Sequence, residues 1–331
     1  MAWVRLLGLI AGSIGITACD SGPPETAAPA GGTSGPGGVS VRACDRLCLI
    51  GFTDRYLDAV VAHDAARLPL ASTIKYTENA QRLALDDGLW ATASTGAKYR
   101  LDFADADTGQ VGVFALIEES GQPSLIGARM KVANGLIEEI ETVVVRGGEA
   151  LLDSPVLAAP RPAFHAVEEP ARSSSREELF AIADRYFEAL EKNLAGYVQF
   201  DERCQRVENG IQTTGNTQRE PFPTPEFNVR AMGCQGNVDS RTWTYITKIS
   251  PRRFLIADPE RGLAFGVFMF HHSGTIESFT VPGVGTFENT GARRRPFTTV
   301  IPELFKIRDG KIVAIEAVMA TLPYGSQSGW D

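Results

Sequence analysis

The sequence predicts an α+β protein made of two copies of one unit, each opening with helices that pack on a curved antiparallel sheet. Three observations carry this prediction. Residues 53–60 (TDRYLDAV) match 183–190 (ADRYFEAL) at a spacing of 130, and at the same spacing Tyr76, Thr77, Glu78 and Asn79 align with Arg206, Val207, Glu208 and Asn209. A later block, 131–141 (KVANGLIEEIE), matches 306–316 (KIRDGKIVAIE) at a spacing of 175, so the second copy holds extra residues between its first helix and its last hairpin. Within each copy the apolar period changes from helical to strand-like along the chain.

In the first copy Leu47, Ile50, Tyr56, Leu57, Val60 and Val61 keep helical spacing. In the second, Leu179, Ile182, Ala183, Tyr186, Phe187 and Leu190 do so, after the capping residues Ser173, Ser174, Ser175 and Glu177. Strands are predicted at 99–103, 111–117, 124–132 and 136–145, divided by turn residues, with Asn134–Gly135 and Asp309–Gly310 as the strongest hairpin signals. Helices first and a meander afterwards give the α+β class. Residues 43–152 and 176–331 are the two predicted domains, with independent cores. Between them, Pro155, Pro160, Pro162 and Pro170 make 153–175 a linker without regular structure.

The 331 residues carry a net charge of −8 and no extended basic run, which argues against a nucleic-acid partner. Arg293, Arg294 and Arg295 form the one compact basic cluster. It reads as a solvated loop, with an anion site as the alternative. Residues 1–18 hold Arg5 and the apolar run 6–16, too short to span a membrane and shaped like a secretory signal. Ending at Cys19 after small residues, this segment resembles a bacterial lipoprotein signal, which implies lipid on Cys19. An envelope location facing the periplasm follows, with Asp20 leaning toward inner-membrane retention. The 19–42 stretch, rich in Gly, Pro, Ala, Ser and Thr, reads as a flexible tether. Cys44, Cys48, Cys204 and Cys234 remain, an even number in an exported chain. Of three connectivities, proximity favours Cys44 with Cys48 and Cys204 with Cys234.

The order of elements resembles the NTF2-like or SnoaL-like fold, a cone whose sheet wraps a pocket closed by helices. The blocks CDRLCLIGFTDRYLDAV, YTENAQRLALDDGLW and CQRVENGIQTT resemble a family of secreted or envelope proteins of fungi and bacteria with two such domains and no settled general function. That resemblance spans residue 43 to the C-terminus. The family gives no reaction, but the resemblance to the NTF2-like fold implies binding of a hydrophobic or aromatic small molecule. In the enzymes of the fold it implies acid–base chemistry without a cofactor, of isomerase or lyase type. Such chemistry needs a carboxylate or histidine in an apolar pocket and a donor that stabilises developing negative charge.

The repeated block supplies those types. On a strand, Tyr76 and Glu78 point to one face, and so do their counterparts Arg206 and Glu208. A phenol thus stands beside a carboxylate in one copy and a guanidinium, which favours the ionised carboxylate, in the other. Glu208, Glu78 and Tyr76 are candidate catalytic groups, with Arg206, Asn209 and Asn79 as binding partners. The competing reading gives the repeated Glu and Asn a backbone-bonding role at a turn. Glu141 and Glu316 match in the last strand and Arg129 lies on the strand before. A solvated outer sheet face is expected for them, with a place in the pocket as the alternative. Trp90, and Trp243 with Tyr245 at the start of a strand, are aromatic candidates for ligand contact against core packing. Among four histidines, His63 is a helix cap and His165 an exposed linker residue. His271 and His272 end an apolar run that opens into an insertion, and His271 is narrowly preferred as catalytic. The two point in opposite directions on a strand, so no metal site is expected. Phosphate-loop, dinucleotide, zincin and nucleophile-elbow motifs do not occur, and no cofactor is expected. The rival reading is a non-catalytic binding or scaffolding lipoprotein.

Overall fold

The computed structural model describes residues 44–147, 151 and 154–330. The signal segment, Cys19 and the tether up to residue 43 lie outside the described residues. Helix α1 (Arg46–Val61) begins at Asp45, whose side chain accepts a hydrogen bond from the Cys48 amide, and it buries Leu49, Phe52, Tyr56, Leu57 and Val60. The Cys44–Cys48 disulfide closes its first turn. Strands β1 (Leu70–Glu78) and β2 (Gln81–Arg82), the single-turn helix α2 (Leu89–Thr92), and β3 (Ala93–Asp105), β4 (Gln110–Glu119), β5 (Gln122–Ala133) and β6 (Leu136–Val145) complete the first half. In the second half, α3 (Arg176–Lys192) opens with a capping box between Ser175 and Glu178. Next come β7 (Phe200–Glu208), β8 (Ile211–Gln212), α4 (Cys234–Asp239), β9 (Lys248–Asp258) and β10 (Leu263–His272). The hairpin β11 (Ser278–Val281) and β12 (Gly285–Glu288) precedes β13 (Phe297–Arg308), β14 (Lys311–Ala317) and β15 (Ala320–Leu322).

Both halves have the same strand order, β2-β1-β6-β5-β4-β3 and β8-β7-β14-β13-β10-β9, with β15 added beside β13. The class is α+β, but each sheet is mixed rather than wholly antiparallel. β1 runs parallel to β6 and β7 parallel to β14, because the chain leaves β1 at one end of the sheet and crosses that end to start β3 at the far edge. A parallel neighbour always requires such a crossover. The crossover and the β4–β5 turn lie at the same end of the sheet, since Glu119 pairs with both Ala93 and Gln122. In the second half the equivalent connections are residues 213–247 and 273–296. Both insertions therefore gather at one end, the mouth.

At Asn134–Gly135 and Asp309–Gly310 both residues of each turn have positive φ, as a two-residue hairpin demands. Each half has its own interior cluster between helix and sheet. A third cluster, including Leu101, Phe103 and Phe114 with Phe265, Val267 and Leu304, joins the outer faces of the two sheets. The expected independence of the cores is thus incomplete, and the described residues fall in one compact unit. Two matched ion pairs bracket this seam. Arg46, before which α1 is capped, pairs with Asp258 at the end of β9, and Arg176 at the start of α3 pairs with Asp105 at the end of β3. Contacts of this reciprocal kind are the signature of an isologous interface. The linker also differs from expectation. Three prolines start 3₁₀ turns at Pro155–Ala158, Pro162–Phe164 and Pro170–Arg172, where a missing N–H costs nothing, and Leu157 and Phe164 are buried in the seam.

Candidate functional site

At the mouth of the second half lies a cavity of about 280 Å³, lined by Arg206 and Glu208 from β7, Trp243 and Tyr245 from the first insertion, and His272, Arg293 and Phe297 around the second. Thr299, Ile301, Met319 and Thr321 close it from the sheet. For scale, a dry cavity of roughly 150 Å³ takes up benzene. One substituted ring fits here.

Strand alternation brings Arg206 and Glu208 together as expected, and Arg206 Nη1 forms an ion pair with Glu208 Oε1. Behind Arg206 stands a carboxylate that the sequence reading missed. Glu303 on β13 has no solvent exposure, and its Oε1 lies 3.5 Å from Arg206 Nε. Neither carboxylate oxygen has a well-formed hydrogen bond. Burial pushes its carboxyl up to about 7 against the pull of Arg206, and neighbouring Glu208 adds to the rise. One guanidinium therefore serves two carboxylates, and the more buried one changes charge near neutrality.

The aromatic wall is a row of rings. Tyr245 stacks on Trp243 at 6.2 Å and on His272 at 5.2 Å, and His272 stacks on Phe297 at 4.0 Å. Trp243 and Tyr245 belong to the crossing loop just before β9 rather than to a strand, because they must span the mouth. Trp243 is placed by donating from Nε1 to Asn237 Oδ1 on α4 at 3.0 Å, and its ring lies 5.3 Å from the Arg206 guanidinium. The Cys204–Cys234 disulfide ties α4 to β7, two residues before Arg206. It fastens the loop to the floor it covers.

His272, not His271, faces the cavity. Burial pulls its imidazole down to about 4, so it is neutral at pH 7, and its Nδ1 has no hydrogen-bond partner. His271 points to the other face, where Nε2 donates to the Ser250 carbonyl at 2.8 Å and Nδ1 lies 3.0 Å from Thr298 Oγ1. Both His271 nitrogens are engaged by protein groups. His63 has positive φ after α1 and donates from Nδ1 to the Trp90 carbonyl at 2.5 Å.

The first half carries different chemistry at its mouth. Glu78 accepts from Tyr76 Oη at 3.2 Å and from the Leu89 amide at 2.7 Å, and pairs with Arg146 at 2.9 Å. A Cβ on Gly88, whose φ is +61, would stand 2.3 Å from Glu78 Oε2, so glycine is required for this approach. Arg146 also binds Glu119 at 2.6 Å. Burial raises the Glu119 carboxyl, but bonds from Arg146 and Thr92 outweigh burial and hold it below its usual range. Trp90 is buried edge-on to Tyr56 at 5.8 Å, filling the interior rather than lining a ligand site. Burial also drives the Tyr76 phenol up, with Glu78 adding to it.

Several candidates have structural places. Asn79 bonds both N–H and C=O of Val144 near the end of β6, and Asn209 does the same with Met319 just past β14, so the repeated Asn ties the end of β1 or β7 to the end of the neighbouring strand. Glu141, Glu316 and Arg129 are buried at the seam rather than solvated, because the outer sheet faces pack on each other. Glu141 joins Arg129 to Arg253 across the seam. Glu316 accepts from Tyr99 and pairs with Arg161. Among the described residues no group of three His, Cys, Asp or Glu is placed to hold a metal, and no helix is long and apolar enough to cross a membrane.

Residues 172–319, the half that holds the cavity, match a family model described as "Domain of unknown function (DUF8021)". No curated protein matches the chain. Among solved structures, LinA is similar at 13% identity, with 46% of this chain and 90% of that chain covered and a TM-score of 0.26. AusH from Aspergillus nidulans is similar at 11% identity, with 44% and 86% covered and a TM-score of 0.27.

Proposed function

We propose that the second half is a cofactor-independent acid–base unit of isomerase or lyase type, acting on a small, partly aromatic molecule held in the mouth cavity. The observation that carries this is the Arg206–Glu208–Glu303 cluster beneath a row of stacked rings. Glu208 is the carboxylate that lines the cavity and accepts a substrate proton. Arg206 offsets the negative charge that develops on the substrate, in a site where burial strengthens that interaction. Returning the proton to a different atom gives isomerisation; losing a leaving group instead gives elimination. Glu303 acts through Arg206 as a tuning group. Once it ionises, Arg206 is shared between two carboxylates. The proposal extends to lipid on Cys19 and an envelope position, which would leave the folded part on a 23-residue tether spanning 20–42.

The test is incubation of the full chain with pools of aromatic small molecules, followed by chromatography and mass spectrometry. Turnover that falls about 10²-fold or more in Glu208→Gln, while the compound still binds, is the expected result. Retention of unchanged compounds alone would replace the enzyme reading with a binding lipoprotein.

A further inference from the structure

The three consecutive arginines of the second insertion have separate fates. Arg294 and Arg295 are exposed, and Arg294 pairs with Glu277 at 3.2 Å. Arg293 turns inward and lines the cavity. Its guanidinium lies 4.2 Å from the Phe222 ring centre, 4.7 Å from Tyr245 and 5.3 Å from Phe279. The rings offer π faces but hold no acceptor comparable to a carboxylate. Nη1 is buried without a hydrogen-bond partner, and Arg293 forms no ion pair among the described residues. Both nearby carboxylates, Glu208 and Glu303, belong to Arg206. Arg293 as a whole is half-buried, and a guanidinium with one nitrogen buried and no counter-charge is unfavourable unless something supplies one.

We propose that the molecule bound in this cavity is a small aromatic carboxylate whose anionic end pairs with Arg293. This rests on the reading of the cavity as a ligand site and names the class of its ligand. The charge count favours a monoanion. Arg206 is matched by Glu208 when Glu303 is neutral, His272 is neutral, and Arg293 leaves one positive charge over. A carboxylate is planar and meets the guanidinium fork with two parallel hydrogen bonds. A ring carrying it stacks along Tyr245 and His272, and the far end of the molecule reaches Glu208. Arg230, whose guanidinium lies 5.6 Å from the same Phe222 ring, adds positive charge beside Arg293 in a chain that is acidic overall. That local field favours entry of anions.

The test is calorimetric titration of the full chain with benzoate and cinnamate against their neutral isosteres benzamide and cinnamamide. The anions should bind at least tenfold more tightly than the amides, a difference of about 1.4 kcal/mol. In Arg293→Gln that ratio should collapse to about one, while Arg293→Lys keeps part of it. Equal affinity for acids and amides in the unmodified chain, or a preference that survives in Arg293→Gln, overturns the assignment and leaves the cavity reading intact. No saturable binding of any of the four probes up to roughly 10 mM overturns both. The acid-to-amide ratio of the unmodified chain decides the matter even if Arg293→Gln does not fold.

Discussion

The two halves carry different groups at the same end of the same sheet. In the first, the mouth is shut: Arg146 clamps Glu78 and Glu119 together and Trp90 fills the space below. In the second, each of those parts is exchanged. By strand register, Tyr76 becomes Arg206, Ala128 becomes Glu303, Glu119 becomes His272 and Arg146 becomes Thr321. The cation moves from the rim to the interior, a carboxylate appears where a methyl group sufficed, and the rim loses its clamp. Charge buried without need is costly, and the paired appearance of Arg206 and Glu303 in one copy alone is the difference on which the proposed function of that copy rests. Asn79 and Asn209, kept in both with the same pair of backbone bonds, mark what the fold itself requires.

The largest effect should come from separating the new pair. Arg206→Leu leaves two carboxylates facing one another without a cation and should cost about 3–5 kcal/mol in denaturant unfolding. The double change Arg206→Tyr with Glu303→Ala, which rebuilds the first half's interior, should restore most of that stability.

Next comes pH dependence. Glu303 is raised from its ordinary value to about 7, so its favourable contribution is complete below about 4.5 and is lost as pH rises through 7. Relative to Glu303→Gln, the unmodified chain should lose about 3 kcal/mol between pH 4.5 and 8. His272 is depressed to about 4, and its contribution is present above about 6.5 and lost as pH falls through 4. His272→Phe should therefore remove an acid-side loss of about 3 kcal/mol. The two slopes oppose each other between pH 4.5 and 6.5, so each becomes visible in thermal or urea melts only when the other group is replaced.

The smallest effect concerns what the halves share. Arg46→Ala and Arg176→Ala remove reciprocal partners of the buried Asp258 and Asp105 and should each cost about 1–3 kcal/mol. Unequal losses, one near zero, would show that the seam is less symmetric than its contacts.

Much of this was legible in the chain. The Asn-Gly and Asp-Gly turns, the disulfide partners and the shared face of Arg206 and Glu208 follow from local rules of backbone and period. Glu303 was not legible, because its partner lies on a strand far away in sequence and alternation does not say which face turns inward. Extending the 131–141 match three residues backward would have set a carboxylate against Ala128, and that was the available signal. The same ambiguity hid that His272, and not His271, faces the cavity. A sheet's outer face is commonly wet, so strand pattern alone sends Glu141, Glu316 and Arg129 to solvent, whereas here another sheet covers them.

The most direct measurement is ligand titration and turnover in the Arg206→Tyr, Glu303→Ala double variant beside the unmodified chain. The expected result is a folded protein of similar stability that no longer converts what the unmodified chain does. A variant that folds and keeps turnover would contradict it, because the exchange that separates the two halves would then have nothing to do with function.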